Sequence, residues 1–322
     1  MAVARAIATA VAPATGITEV QASLLGAVTL ALTGTELDYA TLEPLGPAEL
    51  AAVLEGRDDH YRRRIVHHMV LGELVLRPLP PEVALRVARY AEALGIEDGF
   101  VRVARRYGQG AYGLAWLDLR RNGFVGTDQK PHVGQDAQAA AGPFAPGTVD
   151  DGLAATWAAF EELPEGTLGR RVWELYEGRG FALPGTVGGA PEYLAQHDFV
   201  HVLADYGTNL KGELEVFAFI GRADPDPKGF AWLATLIGLF ETGYIEDTGF
   251  FERDVREHNV AAPGMGTRVA DWVRPGKRGG GSVGRARLAA DHYDQDAAPV
   301  EEVRERLRFP AKSDEALDCG SA

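Results

Sequence analysis

Signals that start and stop helices recur along this chain, while the apolar–polar alternation of strands is almost missing. That imbalance limits the backbone to helical packing before any other property is weighed. Thr18 and Gln21 make a capping-box start, an apolar stretch runs from Val20 to Leu32, and Gly34 offers a stop. Pro47 suits the first position of a helix over Pro47–Leu54, which Gly56 closes. Further helices are expected over Asp59–Leu76, from Pro81 up to Gly95, over Asp98–Arg106 and over Ala111–Arg121. Within the one that begins at Pro81, Val83, Val87, Tyr90 and Leu94 recur at helical spacing. The expected fold class is all-α, with residues 1–125 as a helical bundle.

Composition then shifts. Residues 126–152 hold Gly, Pro, Ala and polar residues without periodicity and read as an interdomain linker. Helical signals resume over Leu153–Glu162, Thr167–Glu177, Pro191–Asp205, Leu210–Ile220, Gly229–Tyr244 and Thr248–Asn259. A flexible segment, Arg274–Arg287, precedes a short last helix over Val300–Leu307, and residues 310–322 form a tail. The expected layout is two helical domains, 1–125 and 153–309, joined by a Pro/Gly-rich linker. No internal repeat is visible.

A length of 322 residues suits about two domains, and 24% charged residues with a mean hydropathy of −0.11 describe a globular chain. A single cysteine, Cys319, cannot form an internal disulfide or a thiolate cluster, so any metal site must use His, Asp and Glu. Residues 1–125 carry 13 Arg and Lys against 14 Asp and Glu, whereas the remainder carries 19 against 32. The acidic second half argues against nucleic-acid binding, which needs clustered cations. The start, MAVARAIATAVAPATG, has no firm apolar core of a signal peptide, although its lack of acidic residues also suits a weak organellar transit reading. The apolar run Gly229–Phe240 is too short for a membrane span of roughly 20 residues. A cytoplasmic protein, peripheral to the inner membrane at most, is expected.

Chemistry concentrates in QHDFVHVLADYGTNLKGELEVFAF, residues Gln196 to Phe219. At about 100° per residue, His197, His201, Asp205 and Asp198 fall at roughly 0°, 40°, 80° and 100° around one helix. Val200, Val202 and Leu203 cover much of the rest, so the helix is expected to be buried, where ionisable groups need a partner or a metal. Tyr206–Asn209 reads as a turn, after which a helical hairpin can fold Glu213 back over the two histidines. Two histidines at i and i+4 alone are as well explained by ordinary packing; Asp198 and Glu213 shift the reading to a metal site. Asp205 reads as a helix-end or supporting residue.

The same residues resemble the HDxxH-x11-E signature of the coenzyme Q (ubiquinone) biosynthesis family, the fourth of the Coq series. His197, Asp198, His201 and Glu213 stand at its spacing. LPEGTLGRRVWELYEGRGF (Leu163–Phe181) is similar to the family's LPxGTxGR block, and APVEEVRERL (Ala298–Leu307) resembles its C-terminal ending. The resemblance covers about residues 153–309. LTGTELDYATLEPLGPAEL (Leu32–Leu50), in the first half, faintly resembles the tellurite-resistance TerB-like helical domain.

The resemblance implies an all-helical metal protein that associates peripherally with membranes and with other quinone-biosynthesis proteins. Its catalytic and metal-binding residues would be His197, Asp198, His201 and Glu213, holding Zn, Mn, Fe or Mg. The implied reaction is decarboxylation and hydroxylation at ring carbon C1 of a prenylated benzenoid precursor of ubiquinone, or of a related prenyl-quinone or aromatic lipid. An oxidative course would bring ring and O2 together at an open coordination position; a non-oxidative one would use the metal as a Lewis acid. A non-catalytic scaffold that binds lipid and partner enzymes is the alternative, and a zincin-like hydrolase a weaker one, because Asp stands where those enzymes place a glutamate base. A homo-oligomer would add a second copy of the chain as partner.

Phe199, Tyr206, Phe217, Phe219, Trp232 and Phe240 could line a lipid pocket, though core packing explains any single one better. His67 and His68 with Glu73 invite a second metal site, but adjacent histidines point about 100° apart. Arg62–Arg64 and Arg105–Arg106 read as solvated basic faces rather than contacts with anionic lipid heads or with the acidic second half. The glycines at 279–281 lack the ending and preceding strand of a phosphate loop.

Overall fold

The structure is a computed structural model that describes residues 1–76, 78–109, 149–190, 192–207, 293–307 and 309, and single positions 212, 215, 216 and 218. At positions 100, 103, 107, 193, 194, 196 and 197 it describes the backbone alone. The expected helices over Ala111–Arg121, Gly229–Tyr244 and Thr248–Asn259, most of the 126–152 segment, Arg274–Arg287 and the tail lie outside these residues.

Among the described residues the fold is all-α. The first helices are α1 (Ala2–Val11), α2 (Glu19–Thr33), α3 (Pro47–Val53), α4 (Asp59–Leu74), α5 (Pro81–Ala93) and α6 (Gly99–Gly108). Their ends are set locally. Thr18 and Gln21 form the capping box of α2, and Gly34 closes it at φ 69, a left-handed conformation that suits glycine. Asp58 accepts the Tyr61 N–H at 2.7 Å to start α4, and Pro81 opens α5.

α1 occupies the alanine-rich start, outside the helices expected from the sequence, although Val3, Ile7 and Val11 recur there at helical spacing. Ala4, Ala6, Ile7, Ala8, Ala10 and Val11 are all buried. Alanine is the strongest helix former and lets helices approach closely, so a run poor in large apolar residues still forms a core element. α1 packs against α4 and α5. Arg86 of α5 donates through Nε to the Ala10 carbonyl at 2.9 Å and through Nη2 to the Ala12 carbonyl, satisfying the end of α1. Fully buried Gln21 closes a second junction. Its Nε2 donates to the carbonyls of Val11 (2.9 Å) and Gly72 (2.8 Å), while Oε1 accepts the Thr18 N–H at 3.0 Å. One amide thus ties α1, α2 and α4.

The arginines of α4 stitch helices rather than simply facing solvent. Arg62 donates to the Leu94 carbonyl at 3.1 Å, and Arg63 donates to the Glu97 carbonyl at 2.9 Å and to Asp98 at 3.0 Å. Asp98 also meets His67 Nε2 at 2.8 Å. His68 is turned to the Arg64 carbonyl, 2.6 Å away, and burial lowers its pKa to about 4.

The second group comprises α7 (Asp151–Ala159) running into a 3-10 turn at Phe160–Glu162, α8 (Leu168–Arg179), α9 (Glu192–Ala204), a 3-10 turn at Tyr293–Gln295 and α10 (Val300–Arg306). Helix α7 starts two residues before the expected Leu153, because the Asp150 side chain accepts the Leu153 N–H at 3.0 Å. An aromatic core joins these elements. Trp157 lies 4.9 Å from Tyr176 and 5.7 Å from Phe199 between ring centroids, and its Nε1–H donates to the Tyr293 hydroxyl at 2.8 Å. A larger apolar cluster runs through α1–α6 and takes in Val200, Ala204, Tyr206, Val216 and Ala218.

Glu73 is buried in α4, and neither carboxylate oxygen has a hydrogen-bond partner. Burial raises its pKa well above the ordinary value, offset in part by nearby Arg86. A carboxyl whose folded pKa is raised lends stability fully below its unfolded pKa and loses it as pH rises toward the folded pKa. Glu73→Met is therefore expected to be more stable than the native chain by roughly 1–3 kcal/mol at neutral pH. Urea denaturation at about pH 5 and about pH 8 checks this, with the larger gap at the higher pH.

Candidate functional site

Helix α9 carries the HDxxH segment, and each of its faces has a separate role. Ala195, Phe199 and Leu203, four residues apart, enter the aromatic cluster, whereas Val200 and Ala204 join the larger cluster. Asp198 and His201 lie on the remaining arc and are buried, at 6% and 1% exposure. The expectation of a buried helix holds.

Both side chains are held by an outer group. The Tyr176 hydroxyl, from α8, donates to Asp198 Oδ2 at 2.6 Å. His201 Nδ1 lies 3.0 Å from the Gly207 carbonyl oxygen, which can only accept, so Nδ1 carries the proton and Nε2 is the basic nitrogen of the neutral ring. Metal-ligating histidines are commonly fixed by such a bond to a carbonyl. The Gly207 carbonyl has a second close neighbour, since a Cβ at Gly212 would overlap it. Only glycine fits there, and Glu213 is the next residue in the chain.

The His197 side chain and Glu213 lie outside the described residues, so two of the four expected ligands, Asp198 and His201, can be located. Among the described residues no group of three or more His, Cys, Asp or Glu is placed to hold a metal ion. The located pair offers one carboxylate and one imidazole, the mixed N/O chemistry that suits a divalent cation. Asp205 ends the helix in a left-handed conformation, φ 58, and is exposed. Of the candidate lipid-lining aromatics, Phe199 is a core residue at 0% exposure and Tyr206 is buried at 4%. Phe217, Phe219, Trp232 and Phe240 lie outside the described residues.

A cleft of about 640 Å³ opens beside His201, with Arg171, Glu174, Asp205, Glu301 and Arg304 on its walls. This is the volume range of a small-molecule site, and its lining mixes both charges with the apolar Val202, Leu175 and Val300. Two contributors are invisible in the sequence. Tyr176 sits 22 residues before Asp198, with no local pattern linking them. Arg304 donates to the carbonyls of Val202 (2.9 Å) and Leu203 (2.8 Å), satisfying the C-terminal end of α9 from α10.

Among the described residues no helix is long and apolar enough to cross a membrane. No family model, curated protein or solved structure matches the chain.

Arg304→Met keeps much of the stem and removes the guanidinium. It is expected to destabilise the protein by roughly 1.5–3 kcal/mol, the range for hydrogen bonds to charged groups. Urea denaturation reads the loss, and hydrogen exchange should place it at the end of α9.

Proposed function

We propose that this chain is a metal-dependent protein of ubiquinone, prenyl-quinone or related aromatic lipid biosynthesis, acting on a prenylated benzenoid ring. The observation that carries the reading is the pair Asp198 and His201: two buried potential ligands on one helix, each oriented by an outer hydrogen bond. It is supported by the meeting of three sequence blocks. The start of α8 bonds to the backbone of residues 296–300, and α10 bonds to the end of α9. The blocks behind the family resemblance are therefore neighbours in space.

His197, Asp198, His201 and Glu213 would hold the cation, which when bound would supply Lewis acidity at the ring substituents. The protein's own residues do the rest. Gly207 fixes which nitrogen of His201 can ligate, and the Tyr176 hydroxyl orients the Asp198 carboxylate. The aromatic core behind Asp198 excludes water from that side, and His201, buried at 1% exposure, stands in the lining of the cleft on the other. Arg171 at the cleft wall, exposed and paired with Glu174 at 3.1 Å, would meet a carboxylated ring, and the membrane would present its prenyl tail.

Elemental analysis of the purified protein should find about one divalent metal per chain, lost in His201→Ala; a native protein without metal would sink the assignment. Complementation of a quinone-pathway mutant separates enzyme from scaffold. Glu213→Gln abolishes rescue while leaving partner pull-down intact if the site is catalytic, and rescues normally if the protein is a scaffold. Mass spectrometry of a co-purified lipid should reveal a prenylated aromatic acid.

A further inference from the structure

Tyr176 reaches Asp198 from a different helix, and little in its surroundings lets it move. The ring is 2% exposed, with Trp157 at 4.9 Å and Phe181 at 5.6 Å between centroids. Trp157 is itself anchored through its Nε1–H to the Tyr293 hydroxyl. A phenol walled in this way has its hydroxyl aimed by the packing of its ring, because few rotamers remain. Its hydroxyl meets Asp198 Oδ2 at 2.6 Å, a short charge-assisted geometry.

We propose that Tyr176 is a positioning residue for the cation site, an inference that rests on the metal reading above. Its hydroxyl donates to one oxygen of the Asp198 carboxylate and so narrows the orientations the group can take. The phenol thereby sets both the direction and the donor strength of the ligand. Losing this bond would widen the range of orientations open to the carboxylate, and binding a cation would require more of them to be given up. Helix α8 thus contributes to the site through Tyr176 without supplying a ligand.

The test is Co2+ binding to the full chain stripped of metal, read by competition with a chromophoric chelator and by the visible spectrum of bound Co2+. Tyr176→Phe keeps the ring and removes the hydroxyl. It is expected to weaken Co2+ binding by about 10–100-fold and to shift the Co2+ spectrum, while the metal-free chain still folds at a modestly lower melting temperature because a buried charge-assisted hydrogen bond is gone. Unchanged affinity, or an affinity loss with an unchanged spectrum and a matching loss of metal-free stability, would overturn the proposal and leave the metal reading standing. A wild-type chain that binds no Co2+ would remove the metal reading itself, and this proposal with it. Should Tyr176→Phe fail to fold, fluorotyrosine placed at position 176 keeps the packing and makes the phenol a stronger donor. Altered Co2+ affinity and spectrum then support the role, and unaltered values overturn it.

Discussion

The first N–H groups of a helix have no partner within it, and at the start of α8 the chain supplies one from far away. The Leu168 N–H donates to the Ala298 carbonyl at 2.9 Å and the Gly169 N–H to the Asp296 carbonyl at 2.8 Å, while the Val300 N–H returns to Gly166 at 3.0 Å. Gly169 admits this approach because a Cβ there would lie 2.7 Å from Leu163 Cδ1 and 3.0 Å from Asp296 Cβ. The opposite kind of end is closed in the same way, since Arg304 of α10 takes the last carbonyls of α9. The start of α8 and the end of α9 are therefore bound to one C-terminal segment. The Tyr176–Asp198 bond lies between the two helices so fixed, and its geometry depends on both ties.

Local chemistry in this chain is legible from sequence and long-range chemistry is not. Capping boxes, first-turn prolines and closing glycines are short-range signals, and they locate α2 through α5 to within a residue or two at most ends. The quadrant shared by Asp198 and His201 follows from helical geometry, whereas Asp205, which the same geometry puts between them, is exposed because the helix ends at Ala204. α1 is legible too, since Val3, Ile7 and Val11 recur at helical spacing in an alanine-rich run that favours helix. Arg62 and Arg63 read as solvated because a sequence cannot show that carbonyls at Leu94 and Glu97 lie within their reach. Tyr176 and Arg304 act across 22 and about 100 residues, on partners that no periodicity connects to them.

Two buried carboxyls in the one chain show how environment sorts residue types into roles. Glu73 sits in the first core without a hydrogen-bond partner, and burial raises its pKa, so the neutral form is favoured. Asp198 sits in the second core with a phenol donating to it, an arrangement that stabilises a carboxylate and fixes its orientation. A protonated acid is a poor ligand, and an oriented carboxylate is a good one. Counting acidic residues near histidines would not separate the two, since Glu73 follows His67 and His68 even more closely in sequence than Glu213 follows His201. Partner geometry separates them: His67 is committed to Asp98 and His68 to the Arg64 carbonyl.

The remaining constraint is the bend after α9. Asp205 adopts a left-handed conformation at φ 58, which turns the chain sharply as the helix ends. The Tyr206 N–H still bonds back to the His201 carbonyl at 2.9 Å, and the Gly207 carbonyl is brought onto His201 Nδ1. The turn that ends the helix thus selects the tautomer of the histidine one turn before it. Gly212 then lies so close to that carbonyl that no side chain fits at its position. One carbonyl thus fixes two things, the tautomer of His201 and the identity of residue 212.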